Sequence, residues 1–176
     1  DTVVIYTADH GDQLGSHGLH DKGPWMYEET CNIAFIVRTP GGASGAASSA
    51  LVSHLDIMPT MLDMAGLNVP EALNGRSLRP VLEQPEASVR ETLMVSFNRF
   101  GVGGRSRGGL WPIRCLTDGR HKLTINLHDR DELYDLEIDP YELTNQIDNP
   151  DYVEVRHRLH DELLAEMKRS RDPMWN

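Results

Sequence analysis

Two short apolar runs near the start of the chain have the composition of β-strands. Residues 2–8 are rich in β-branched and aromatic side chains and stop at a polar sequence that begins with Asp9. Residues 33–39 form a second run, which stops at Pro40. These runs predict two buried strands with polar loops at their C-terminal ends. Loops at the C-terminal ends of parallel strands build the binding sites of open α/β sheets, so we expect the first loop to carry chemistry.

A helical pattern lies between residues 56 and 65. Asp56 is a suitable N-cap for this helix, and Gly66 is a suitable stop. The spacing of apolar residues predicts that one face of the helix fills a core. That face consists of Leu55, Met58, Met61, Leu62 and Ala65.

The second half of the chain predicts a small antiparallel sheet followed by one helix. Four short strand-like runs are separated by Gly or Asp turns and cover residues 93–97, 111–117, 122–127 and 132–136. Asn149 and Pro150 then open a helix whose apolar stripe we expect to pack on this sheet. The stripe consists of Tyr152, Val155, Leu159, Leu163 and Met167.

The predicted domain boundary lies in a polar stretch that contains two prolines. Pro80 and Pro85 interrupt the sequence there, which is typical of a connection between domains. We therefore expect residues 1–85 to belong to an α/β domain and residues 86–176 to form a small α+β subdomain.

Charge and composition exclude several classes of protein. The net charge of −10 argues against a general nucleic-acid binder, because phosphate backbones are bound by clustered Lys and Arg. No run approaches the roughly 18 apolar residues of a membrane helix, so we expect no membrane segment. Cys31 and Cys115 have no paired spacing and predict neither a zinc site nor a disulfide framework. The chain opens on a strand-like sequence without an initiator Met, and we expect it to be a fragment.

Chemically capable residues are concentrated in residues 7–22, which hold three Asp, three His and one Lys. Asp9 is followed directly by His10, and a carboxylate beside an imidazole at a strand end can bind a divalent cation. The alternative is that Asp9 caps a turn and that His10 packs beneath it. The residues alone leave both interpretations open.

The order and spacing of this segment resemble those of the sulfatase family. The matching residues are Asp9-His10-Gly11, Leu14-Gly15, His17-Gly18, Lys22 and Tyr27-Glu28-Glu29. Residues 54–60, 73–78 and 132–136 also resemble later landmarks of the family, so the resemblance covers nearly the full chain. It implies an α/β fold: the C-terminal part of an alkaline phosphatase-like sheet, followed by a small antiparallel sheet with a packed C-terminal helix. The implied activity of the intact parent is sulfuric ester hydrolysis.

The resemblance also implies roles for individual residues. Asp9 and His10 match the paired metal ligands of sulfatases. Lys22 matches the catalytic lysine, which contacts the sulfate and stabilises charge on the leaving oxygen. His17 and His20 are candidate substrate contacts; the alternatives are that each supports a neighbouring residue of the site or forms part of a turn. Arg105, in a basic glycine-rich segment, is a further candidate contact to an acidic substrate, with a solvated loop as its alternative.

Two parts of a sulfatase site are expected to lie outside this chain. The family uses a formylglycine made within a Cys/Ser-x-Pro-x-Arg motif, and neither Cys31 nor Cys115 has that context. The remaining metal ligands also belong to the missing N-terminal part, so we expect the chain alone to lack turnover. Ca²⁺ is the metal that the resemblance favours, and the imidazole of His10 keeps Mn²⁺ or Zn²⁺ open. One departure is that Thr30-Cys31-Asn32 stands where many members carry an Arg.

Two alternative functions stay open from the sequence. A phosphonate or phosphate monoester hydrolase of the same superfamily has a similar Asp-His-Gly and Lys segment. A non-catalytic module derived from the fold is a second alternative, and the upstream sequence would separate it from an enzyme. For the sulfatase we expect two partners, a sulfated small molecule or sugar and the missing N-terminal portion of the same protein.

Overall fold

A computed structural model describes residues 1–42, 44–99 and 109–175. The chain divides into two compact units, one of Asp1–Thr7 with Ala34–Leu93 and one of Ala8–Ile33 with the residues from Met94 onward. The strands and helices along the chain are β1 Val4–Thr7, α1 Glu28–Cys31, β2 Phe35–Arg38, α2 Ile57–Met64, α3 Arg79–Glu83, β3 Leu93–Arg99, β4 Leu110–Thr117, β5 His121–Asn126, β6 Glu132–Asp135 and α4 Val153–Ser170. The domain boundary predicted after residue 85 concerns the full-length fold and stays a prediction.

The first unit contains a two-stranded sheet of β1 and β2. The strands pair antiparallel, with Val4 opposite Arg38 and Thr7 opposite Phe35. The general argument from parallel strands therefore does not apply to this pair, and neither strand is buried within the described residues of this chain. Their side chains alternate between half-buried and exposed positions, and Tyr6 is 65% exposed. The alternation follows from the period of two in a strand, which sends neighbouring side chains to opposite faces.

Helix α2 has the predicted extent, but its N-terminus is built differently from the prediction. Asp56 makes no side-chain cap to α2. It is fully buried and accepts two hydrogen bonds from Arg90, at 2.5 and 2.6 Å. It also accepts the backbone amides of Ser53 and Arg76, both at 2.8 Å. The Asp at the helix start therefore joins three separate stretches of the first unit.

The apolar stripe of α2 does not fill a core within the described residues of this chain. Leu55, Met58 and Met61 are all more than half exposed. The buried residues of α2 are instead Pro59 and Thr60. The Thr60 hydroxyl is oriented inward because it donates to the Asp56 carbonyl and accepts the Leu78 amide, at 2.5 and 2.9 Å. These two hydrogen bonds of Thr60 determine which face of α2 is buried in the first unit.

The second unit contains the antiparallel sheet that the sequence predicted. Strands β3, β4, β5 and β6 neighbour each other in chain order. In the register of β4 with β5, Cys115 lies opposite Thr124, and in that of β5 with β6, Leu123 lies opposite Leu133. Residues 118–120 connect β4 to β5 and residues 127–131 connect β5 to β6, and such short connections place consecutive antiparallel strands side by side.

Helix α4 packs its apolar stripe on this sheet, as predicted. Leu159 and Leu163 are almost completely buried and share one core with Leu116, Leu123 and Leu133 of the strands. Asn149 starts the preceding turn by accepting the amide of Asp151. Within the described part of the chain, no helix has the length and apolar character to cross a bilayer.

Candidate active site

The loop that carries most candidate residues belongs to the second unit and is held in an unusual backbone conformation. Leu14, His17 and Asp21 have φ values of 46°, 55° and 63°. This left-handed region is uncommon for residues other than glycine, and three instances within eight residues indicate a loop under strain. Such strain persists only where surrounding contacts fix the backbone, and it concentrates at functional sites.

Asp9 and His10 lie close to one another directly after β1 in the sequence. The Nε2 atom of His10 is 3.5 Å from Oδ2 of Asp9. The Nδ1 atom of His10 lies 2.7 Å from the carbonyl oxygen of Gly11, and with a proton on Nδ1 this is a hydrogen bond. That tautomer leaves the lone pair of Nε2 on the side of the carboxylate, which is the arrangement of a metal-ligating histidine.

Lys22 and His20 lie on the surface of the same loop. The Nζ atom of Lys22 is 3.8 Å from Oδ1 of Asp21, and half of the Lys22 side chain is exposed. His20 is exposed as well. Both side chains are thus accessible to a ligand from solvent within this unit.

The side chain of His17 is more enclosed than that of an ordinary exposed turn residue. Its ring stacks on the ring of Tyr27 with a centroid distance of 3.8 Å and an interplanar angle of 7°. Its Nε2 atom is buried, lies 3.9 Å from Oε2 of Glu29 and has no hydrogen-bond partner among the described residues. The hydroxyl of Tyr27 donates to Glu132 at 3.1 Å. Burial, together with the charge of Glu132, raises the pKa of Tyr27 to about 12, so Tyr27 is a hydrogen-bond donor at neutral pH.

One residue of the loop interior, Gln13, was missed by the sequence reasoning, whereas Gly11 was already part of the predicted segment. Gln13 is fully buried, and its Nε2 atom donates to Oγ1 of Thr30 at 2.8 Å. Gly11 lies so close to the backbone of residue 29 that an added Cβ would be 1.8 Å from the carbonyl oxygen of Glu29. For Gln13 the sequence offers no signal, because a single Gln in a polar stretch is typical of a solvated loop. For Gly11 the glycine itself is the signal of close backbone approach.

A buried ion-pair cluster lies behind α1 and was also missed. The Nζ atom of Lys122 is 2.8 Å from Oε1 of Glu28 and 2.7 Å from Oε1 of Glu142. Burial alone lowers the pKa of Lys122, but the neighbouring Cys115, Glu142 and Glu28 reverse this effect and raise it. Glu28 of the Tyr-Glu-Glu sequence is therefore paired with a cation from β5.

The remaining candidates do not add to the site. Arg105 lies outside the described residues. Burial raises the pKa of the Cys31 thiol to about 12 and that of the Cys115 thiol to about 11, so both are protonated at neutral pH.

In residues 1–42, 44–99 and 109–175, no group of three or more His, Cys, Asp or Glu side chains has the arrangement of a metal site. Asp9 and His10 are thus at most a partial ligand set within this chain.

Comparison with known proteins identifies the family. Residues 15–169 match the family model of the N-sulphoglucosamine sulphohydrolase C-terminal region. The chain belongs to this family of sulfatase C-terminal regions. The α/β fold predicted from the sequence, with its small antiparallel sheet and packed C-terminal helix, is confirmed, and the solved structures it resembles include sulfatases of the alkaline phosphatase-like superfamily.

Individual relatives agree with this assignment. The chain is 41% identical to the uncharacterized sulfatase YidJ of Escherichia coli, over 98% of this chain and 33% of that protein. It is 33% identical to an N-acetylglucosamine-6-O-sulfatase of Bacteroides thetaiotaomicron, over 97% of this chain and 31% of the relative. A structure solved with its substrate D-glucosamine-2-N,6-O-disulfate matches with a TM-score of 0.85 and 31% identity, over 97% of this chain and 35% of the other. The chain therefore spans about a third of the length of these relatives.

Proposed function

We propose that the full-length protein is a sulfuric ester hydrolase and that this chain contributes one side of its active site. The observation that carries the proposal is the family match across residues 15–169, which includes Lys22. The strained backbone of that loop supports it, since an ordinary surface loop does not need such a conformation.

Asp9 and His10 are the proposed metal ligands of this chain. The fit is chemical, because a carboxylate oxygen and an imidazole nitrogen lie 3.5 Å apart and the other ring nitrogen is engaged by a backbone carbonyl. When bound, a divalent cation would act as a Lewis acid on the sulfate oxygens. Ca²⁺ is the proposed ion on family grounds, and the imidazole donor makes Mn²⁺ or Zn²⁺ the alternatives.

Lys22 is the proposed catalytic residue. Its accessible ammonium can donate a hydrogen bond to a sulfate oxygen and, as the ester bond breaks, to the leaving oxygen. A donor aimed at developing charge contributes several kcal/mol, on the order of a hundredfold or more in rate. His17, His20 and Arg105 remain proposed substrate contacts. Of these, His20 has the exposure that direct contact requires, whereas His17 is largely enclosed by its stacking partner.

The proposed substrate class is a sulfated sugar. Support comes from two relatives, of which one is an N-acetylglucosamine-6-O-sulfatase and the other was solved with a disulfated glucosamine as its substrate. The chain is a third of the length of such proteins, and we assign the formylglycine nucleophile and the other metal ligands to the remaining two thirds. We propose that the exposed apolar residues of the first unit, Val4, Tyr6, Ile36, Leu55, Met58 and Met61, pack against that part.

Replacement of Lys22 tests the catalytic assignment. In the full-length protein, Lys22→Ala should lower the turnover of an aryl sulfate by about a hundredfold or more. The free energy of unfolding should change by no more than about 0.5 kcal/mol, because a half-exposed lysine contributes little to stability. Lys168→Ala, at an exposed lysine of α4, is the control and should leave both quantities unchanged. Unchanged sulfate turnover in Lys22→Ala would remove the role given to this residue.

Removal of the imidazole tests the metal assignment. His10→Ala in the full-length protein should weaken binding of the divalent ion by at least about tenfold to a hundredfold, because loss of a residue that merely supports a ligand already costs that much. Titration of the metal-free protein with Ca²⁺, Mn²⁺ and Zn²⁺ followed by calorimetry measures this loss and ranks the three ions. His160→Ala replaces a half-exposed histidine of α4 and should bind like the wild type. Equal metal affinity of His10→Ala and wild type would contradict the assignment.

A phosphonate monoester hydrolase is the second candidate function. It is favoured by the structure of such an enzyme from Agrobacterium radiobacter, which matches with a TM-score of 0.81 and 30% identity over 97% of this chain and 36% of the other. The two functions separate when wild-type protein is given an aryl sulfate and a phosphonate ester at equal concentration. A strong preference for the phosphorus ester would replace the sulfatase proposal.

A further inference from the structure

Residues 9–22 form the candidate loop, which is called the site loop below. One short neighbouring segment holds it in place through hydrogen bonds and ring stacking. This segment, residues 27–31, contains α1 and is called the α1 segment. The backbone amide of Gly11 donates to the carbonyl of Thr30 at 3.0 Å, and the side chain of Gln13 donates to the hydroxyl of the same Thr30 at 2.8 Å. The close approach at Gly11 leaves no room for a Cβ, so the two backbones are in direct contact.

A third attachment is the stacking of His17 on Tyr27. His17 is one of the residues with a positive φ, and its conformation needs support from outside the loop. The Tyr27 ring supplies a flat surface for it, and the Tyr27 hydroxyl is held in turn by Glu132 of β6. Glu132 is half-buried, and this burial raises the pKa of its carboxyl group.

The α1 segment is itself anchored to the four-stranded sheet by charge. Lys122 of β5 is almost fully buried and pairs with both Glu28 and Glu142. Glu142 closes the cluster, since its Oε2 atom accepts the backbone amide of Glu28 at 2.7 Å. Separating Lys122 from Glu142 would be unfavourable, because a buried charge without its partner costs several kcal/mol.

We infer that Lys122, Glu132 and Glu142 are positioning residues, which fix the geometry of the site loop through the α1 segment. The inference rests on the proposed function in one respect, that the site loop is where catalysis occurs. Catalytic groups must be held to within fractions of an ångström, and support by packed neighbours supplies that precision. A loop with three left-handed residues depends on such support more than a relaxed loop does.

The test compares two buried ion pairs, each of which has its cation on a strand of the same sheet. Lys122→Met removes the cation under the α1 segment. Arg114→Met removes the cation of a second pair, in which Arg114 donates to Asp172 at 2.7 and 2.8 Å, with neither partner contacting the site loop. Both variants are made in the full-length protein, and both are expected to lower the melting temperature. Amide hydrogen exchange of a peptide covering residues 9–22 and the kinetics of aryl sulfate hydrolysis are measured well below that temperature.

Lys122→Met should speed exchange of the site-loop amides by at least tenfold and lower kcat by at least tenfold, with KM changed less than threefold. Arg114→Met should change each quantity less than twofold. If Lys122→Met does not fold, Tyr27→Phe replaces it. That variant keeps the ring that supports His17, loses the hydroxyl that donates to Glu132, and should speed the same exchange by about threefold or more.

Equal site-loop exchange in Lys122→Met and Arg114→Met, or no change in Tyr27→Phe where that variant is used, would overturn the inference. The exchange comparison needs no turnover. If the wild-type protein hydrolyses neither sulfate nor phosphonate esters, the proposed function fails, and the exchange contrast still decides whether these residues position the loop.

Discussion

Buried charges in this chain are paired at short distance, and each pair joins parts of the chain that lie far apart in sequence. Asp56 binds Arg90 in the first unit, and Arg114 binds Asp172 in the second. Removing one partner of such a pair leaves a buried charge uncompensated and typically costs about 3–5 kcal/mol. The pairs therefore act as specific connections, since an apolar contact would tolerate many more arrangements.

Asp118, in the turn between β4 and β5, allows the contribution of one charged side chain to stability to be measured as a function of pH. Burial alone would raise its pKa, but hydrogen bonds from the His121 amide, the Arg158 guanidinium and the Arg120 amide lower the pKa to about 2. The folded pKa is thus below the unfolded value of about 4, so the stabilisation is complete above about pH 4 and is lost as the pH falls towards 2. Asp118→Asn should lower the unfolding free energy by about 1–2 kcal/mol at pH 7 and by almost nothing at pH 2.

Denaturant unfolding of the wild type and Asp118→Asn between pH 7 and pH 2 measures this difference. Asp161→Asn, at a largely exposed carboxylate of α4, is the control and should follow the wild type at every pH. A difference for Asp118→Asn that stays constant across the range would show that its charge is not the source of the stabilisation.

At the level of elements, the sequence predicted those whose pattern is local and periodic. The four strands of the second unit and α4 lie where turn residues and apolar spacing indicated them. The short helices α1 and α3 were missed, because four or five residues are too few to show a helical period. The contacts of Gln13 and Lys122 were missed for another reason. Their partners are distant in sequence, and such pairings depend on the tertiary fold. The positions of Asp9, His10 and Lys22 in one loop followed from the sequence, but their assigned roles stay predictions.

The packing of α4 on the sheet leads to a prediction with a close internal control. Leu163 is 1% exposed in the core with Leu116 and Leu123, whereas its neighbour Leu164 is 36% exposed. Leu163→Ala should lower the unfolding free energy by about 2–4 kcal/mol through lost burial and the cavity that remains. Leu164→Ala should change it by no more than about 0.5 kcal/mol. Equal losses in denaturant unfolding would contradict the packing of α4.

At the level of the whole molecule, the two units differ in how they cover apolar residues. The second unit covers both sides of its central strand β5, where Leu123 and Thr124 are buried although they point to opposite faces. The first unit leaves Tyr6 of β1, Ile36 of β2 and the α2 stripe exposed. Tyr6 and Ile36 lie opposite each other in the register of β1 with β2, and large exposed apolar patches mark interaction surfaces. Together with the length of the relatives, about three times that of this chain, this pattern is the basis of the proposal that the first unit packs against the rest of a longer protein.

Hydroxyl-radical footprinting of the full-length protein tests whether that surface is covered. Met61 of α2 is 57% exposed in this chain, and Tyr141 of the second unit is 70% exposed. If the rest of the protein packs on the α2 stripe, Met61 should be modified at least about tenfold more slowly in the native protein than in the protein unfolded in guanidinium. Tyr141 is the control, because nothing in the proposal covers it, and its two rates should agree within about twofold. A Met61 ratio as small as that of Tyr141 would show that the stripe is free in the full-length protein, and the proposed packing would then be wrong.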